Sequence, residues 1–184
     1  MKRIDMTNVQ EAGEFARLTA GGYVCRYTNV EDKPDKEYLY MEYDIAEGEF
    51  KDYYKQMNEN LKFWGGRYFR SYKEKAQPMF KRMCSAVTKS NPGYLFDGNT
   101  NADERTLVGK LVGIVLAEEE YIGNDGSVKI RLYVYAEKSI DDIRNGNYKV
   151  PPLKKLADGT PTASTTADTS FINTNGIDEE VPFN

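Results

Sequence analysis

Apolar and polar positions alternate with a period of two over four stretches of the chain, the pattern of half-buried β-strands. After Gly21-Gly22, residues Tyr23, Cys25 and Tyr27 fall on one side of a predicted strand over 23–28, with Val24 and Arg26 on the other. Leu39, Met41, Tyr43 and Ile45 face one way in a second predicted strand, 37–45, and Tyr38, Tyr40, Glu42 and Asp44 face the other. A long strand is predicted over 106–121, with Val108, Val112, Ile114 and Leu116 on one face and Lys110 as the exception. Gly109 and Gly113 on its other face predict strong curvature or a bulge. Asn124-Asp125-Gly126 reads as a hairpin turn. In the returning strand, 128–136, Val128, Ile130, Leu132 and Val134 form an aliphatic face opposite Lys129, Arg131, Tyr133 and Tyr135.

A helical period replaces the alternation elsewhere. Phe80, Met83, Cys84 and Val87 share one face of a helix predicted over 79–90, which Pro78 opens and Asn91-Pro92-Gly93 closes. Phe50, Tyr53, Tyr54 and Met57 have roughly helical spacing, which Trp64-Gly65-Gly66-Arg67 interrupts. A third strand is expected within 48–72 without a definite position, and a short helix over 140–144. Two strands, a helix and a curved hairpin predict a mainly β fold with α: an OB-fold-like antiparallel barrel with an inserted helix. That fold is a common platform for single-stranded nucleic acid. The folded domain is expected to span 1–156. The Thr/Ser/Ala/Pro-rich stretch 157–176 reads as a flexible linker, followed by an acidic tip over 177–184.

Composition changes this picture in three ways. The chain of 184 residues has net charge −4, but 157–184 holds five acids and no base, so 1–156 carries about +1 (25 basic against 24 acidic residues). Overall acidity therefore does not argue against a polyanionic ligand for the folded part. Histidine is absent, which removes every Ser-His or Cys-His arrangement and the commonest zinc ligand. No apolar run approaches the roughly 18 residues of a membrane span, and the first residues lack a signal-peptide pattern. Cys25 and Cys84 stand alone, as reduced core thiols would. A cytoplasmic protein is expected, with no membrane partner, no cofactor, no metal and no catalytic residue.

The sharpest internal signal is 62–73, where cations and rings interleave around Gly65-Gly66: Lys62, Trp64, Arg67, Tyr68, Phe69, Arg70, Tyr72 and Lys73. From Lys62 to Arg82 there are seven basic residues and one acid, Glu74. Cations track phosphates and rings stack on bases, so the mixture suits a single-strand binder. The face Lys129, Arg131, Tyr133 and Tyr135 offers a second platform, which Tyr38 and Tyr40 would extend. Fourteen tyrosines in all fit a wet surface that grips planar ligands, and equally fit half-buried strands. Two acid clusters, Asp44/Glu47/Glu49/Asp52 and Glu118-Glu119-Glu120, are the candidates for a magnesium nuclease. Neither GxGxxG nor GxxxxGK[ST] occurs.

The chain ends Asp178-Glu179-Glu180-Val181-Pro182-Phe183-Asn184. This end resembles the tip of bacterial single-stranded DNA-binding proteins, in which acids precede Ile-Pro-Phe; here Asn184 follows the phenylalanine. The order Gly-Gly-Tyr, Asp-Ile-Ala-Glu-Gly-Glu-Phe, Ser-Asn-Pro-Gly-Tyr, Val-Gly-Lys-Leu-Val-Gly and Glu-Glu-Glu-Tyr is similar to that of small proteins from phage and prophage replication modules of Gram-positive bacteria. The resemblance implies a protein of the bacterial host cytoplasm that coats single-stranded DNA with little sequence specificity in phage replication or recombination. It also implies that Asp178, Glu179, Glu180, Val181, Pro182 and Phe183 recruit replication or recombination enzymes. Oligomeric state is left open, homo-oligomers included. The rival expectations are a protein-only adaptor and the magnesium nuclease.

Overall fold

The structure, a computed structural model, describes residues 16–156 together with Arg3 and Asp5. Five strands form one antiparallel sheet: β1 (Gly21–Lys33), β2 (Tyr38–Ile45), β3 (Arg67–Ser71), β4 (Leu111–Ile122) and β5 (Val128–Lys138). Their order across the sheet is β3-β2-β1-β4-β5. Three α-helices join them: α1 (Tyr53–Leu61), α2 (Gln77–Ser90) and α3 (Ile140–Arg144). The sheet is open, with β3 and β5 as its edges. Among the described residues no helix is long and apolar enough to cross a membrane.

The alternation read from the sequence sets the inner face. Cys25, Tyr27, Met41, Tyr43, Ile45, Val112, Ile114 and Leu116 are buried there, and α2 covers them with Met83, Cys84 and Val87. The strand expected within 48–72 is β3, and the short helix over 140–144 is α3. A smaller apolar cluster lies on the outer face, where Val24, Val115 and Ala136 meet Ile143 of α3.

Three expectations about the sheet are corrected. Residues 104–107 are a 3-10 turn and the strand begins only at Leu111; Gly109 takes φ +82°, which a glycine adopts at little cost, to turn the chain into it. Gly113 marks no bulge. It admits α3, because a Cβ there would run into the Ile143 side chain. The register breaks lie instead at Thr28 of β1 and Tyr135 of β5. Val128 and Ile130, read as core, are 60% and 44% exposed. The reason is tertiary. β1 starts at Gly21 opposite Leu116, so the hairpin continues past the sheet with only the segment around Lys154 beside it.

Candidate nucleic-acid interface

β2 and β3 pair Tyr38 with Ser71, Tyr40 with Phe69 and Glu42 with Arg67, all on the outer face. β1 adds Lys33, Glu31 and Asn29 beside them. Phe69 sits edge-on to Tyr38 (ring centroids 5.0 Å apart) and tilted against Tyr40 (5.5 Å). Tyr40 and Phe69 are half-buried, while Tyr38 is nearly enclosed. The Tyr40 hydroxyl donates to Glu42 Oε1 at 2.7 Å. Partial burial and that carboxylate hold it above its ordinary pKa against the pull of Arg67, so it stays a donor.

At the end of this row the chain enters β3 through 62–66. Lys62 closes α1 in a left-handed conformation (φ +56°), and its Nζ donates to Glu59 O. A cation is favourable at that helix end. The turn throws Phe63 outward, 47% exposed, and the Arg67 guanidinium lies 5.8 Å from its ring centroid. That is cation–π range. The site residues expected from the sequence omit Phe63; no local signal marks it as exposed, because the left-handed turn at Lys62 sets its direction. Trp64, expected as the stacking ring, is half-buried against Tyr54, and its indole N–H donates to Gly66 O at 3.1 Å. Gly66 is buried rather than a hinge: a Cβ there would strike the Tyr43 carbonyl oxygen and the Tyr54 ring.

Tyr68 and Arg70 must be removed from the interface. They point inward, since alternation along β3 puts them opposite Arg67 and Phe69. The Tyr68 hydroxyl meets that of Tyr27 at 2.8 Å. Burial pushes both hydroxyls well above the usual range, and Glu137 raises them further. Arg70, 5% exposed, forms a 2.6 Å ion pair with Glu137 of β5, 1% exposed, so the two edge strands are tied by a buried charge pair. Tyr72 is turned away from the row. Its hydroxyl donates to Asp32 Oδ1 and its ring packs 5.9 Å from Phe80, at a groove of about 1120 Å³ beside α2. Lys73 is exposed beyond the end of β3.

The second predicted platform stands apart. β1 and β4 lie between β2 and β5 in the sheet, and α3 covers the outer side of β1 and β4. Its cations are also engaged. Lys129 pairs with Asp125 at 3.0 Å, and Arg131 pairs with Glu119 at 2.8 Å and lies over Tyr121. Tyr133 is half-buried, and Tyr135 stands exposed at the bulge.

Members of both acid clusters have structural tasks. Asp44 accepts the N–H groups of Tyr54 and Lys55, capping α1 in place of Asp52, whose side chain makes no cap. Glu47 pairs with Arg144, and Glu119 with Arg131 and Lys154. Among the described residues no group of three or more acids or thiols is placed to hold a metal ion. The linker 157–176 and the tip residues Asp178, Glu179, Glu180, Val181, Pro182 and Phe183 lie outside the described residues. No family model matches the chain, and no curated protein matches it.

Proposed function

We propose that this chain is a single-stranded DNA-binding protein whose folded part is an OB-like, partly open barrel. The observation that carries the reading is the outer row of β2 and β3. Tyr40 and Phe69 stand there side by side, half-open to solvent, with Arg67 and the exposed Phe63 at one end. In OB-folds the face of strands 2 and 3 is where oligonucleotides bind. The strand order β3-β2-β1-β4-β5, the helix between β3 and β4, and the Arg70–Glu137 pair between the outer strands all suit such a barrel. Bases stack on the rings at about 1–3 kcal/mol each, and duplex DNA cannot offer those faces. The terminal residues Asp178 to Phe183 recruit enzymes of phage replication or recombination, by the resemblance of their sequence. Acids suit a basic rim, and the Phe183 ring suits an apolar pocket held open to an extended chain by Pro182.

Phosphate contacts are few in this reading. Among the described residues Arg26, Lys62 and Arg67 are exposed near the row and form no ion pair, whereas Lys33 is bound to Glu31 at 2.8 Å. Each phosphate contact on a single strand adds about 0.7 to the salt slope. Fluorescence anisotropy of a labelled oligonucleotide should therefore show a slope of log K against log[salt] near −2 for the single strand, with much weaker binding to duplex. Arg67→Ala should flatten that slope by about 0.7. No affinity for the single strand at low salt would end this reading and leave a protein-only adaptor.

A further inference from the structure

Glu42 is out of place on a face meant for bases and phosphates. A carboxylate repels phosphate and has no surface for stacking, yet it sits half-buried among the rings, two residues from Tyr40 and opposite Arg67. Oε1 is taken by the Tyr40 hydroxyl at 2.7 Å, which fixes the group, and Oε2 accepts no hydrogen bond among the described residues. Nearby Glu31 differs: Asn29 donates to its Oε1 at 3.1 Å and Lys33 to its Oε2 at 2.8 Å, so both oxygens are engaged. The row thus places an open acceptor, Glu42 Oε2, on the residue paired across the strands with Arg67, whose guanidinium forms no ion pair with it.

Base edges differ in what they offer such a pair. Cytosine carries an amino group that donates to a carboxylate, beside O2 and N3, which accept from a guanidinium. Thymine flanks its single N–H with two carbonyls. That N–H can reach Glu42 Oε2 only with a carbonyl oxygen crowded against the carboxylate on either side, and a carbonyl turned toward Glu42 leaves the carboxylate without a donor once the base excludes water, which is costly. We propose that Glu42 is a specificity-determining residue that makes this face prefer amino-bearing bases, cytosine above all, over thymine. The proposal rests on the single-stranded DNA-binding reading above and turns a non-selective platform into a biased one. The phosphates then follow Arg67 and Lys62 at the rim, away from the carboxylate.

Anisotropy titrations of equally long labelled oligo(dC) and oligo(dT) test it with the full chain. Oligo(dC) is expected to bind about tenfold tighter than oligo(dT), the discrimination of one good base contact. Glu42→Gln, whose amide offers a donor as well as an acceptor, is expected to bring the two within about twofold of each other. Glu31→Gln removes the same charge from an engaged carboxylate and is expected to raise both affinities while leaving their ratio intact. Tight binding of both oligonucleotides with equal affinity overturns the proposal and leaves the binding reading standing. A ratio unchanged by Glu42→Gln, or lost equally in Glu31→Gln, overturns the assignment to Glu42. Failure of either oligonucleotide to bind overturns the binding reading and this proposal with it.

Discussion

Arg70→Met should lower the unfolding free energy by about 3–5 kcal/mol, because it leaves the Glu137 carboxylate charged and alone in the core. Glu137 is the more exacting partner. It is buried on β5 at the far edge of the sheet, and its Oε2 already lacks a protein donor. Removing Arg70 strips Oε1 as well, since Nε and a terminal nitrogen of Arg70 both reach it. For a domain of this size each kcal/mol moves the melting temperature by about 2–4 °C, so thermal unfolding should fall by roughly 10 °C. The double variant Arg70→Met/Glu137→Met should recover most of the loss, since a buried ion pair replaced by apolar side chains of similar volume is often neutral. A melting temperature within about 2 °C of the parent for Arg70→Met alone would show that the edge strands are held by other contacts.

The largest effect on binding is expected at Phe69. Phe69→Ala should weaken single-stranded DNA by about 1–3 kcal/mol, the value of one stacked base, which is from about fivefold to over a hundredfold. Part of any loss would be indirect, because Phe69 also orders Tyr38 and Tyr40 by ring contacts worth about 0.5–1.5 kcal/mol each. Phe69→Leu separates the two. It keeps apolar bulk against the tyrosines and removes the flat face, so stability should largely return while the loss of binding persists. If both variants bind as the parent does, in conditions where the parent binds well, the β2–β3 row is not the binding surface.

The two residues behind these predictions also mark where sequence reading stopped. In β2 the inward residues are Leu39, Met41, Tyr43 and Ile45, so period and polarity agree and the strand is legible. In β3 they disagree. The inward positions are Tyr68 and Arg70 and the outward ones Arg67 and Phe69, which inverts the usual pattern of apolar inside and charged outside. A five-residue strand with an arginine in the core and a phenylalanine on the surface carries no periodic signal. The segment 62–73 was therefore recognisable by its mixture of rings and cations, while the sorting of Arg67 from Arg70 was not.

What the chain determined locally was the set of elements whose burial depends on their own neighbours. α2 follows from the spacing of Met83, Cys84 and Val87 after Pro78, and the β4–β5 hairpin from alternation around Asn124-Asp125-Gly126. The acidic character of the last 28 residues is likewise a property of composition alone. Tertiary structure decided the rest: that β3 and β5 are the edges, that Glu137 waits under one for the guanidinium of the other, and that Val128 and Ile130 lie past the end of β1. It also brought Tyr40, Glu42, Phe63, Arg67 and Phe69 to one surface. Periodicity tells which side of a strand is apolar, but the tertiary fold decides what covers that side, and it brings together the side chains of unpaired strands such as Arg70 and Glu137, 67 positions apart.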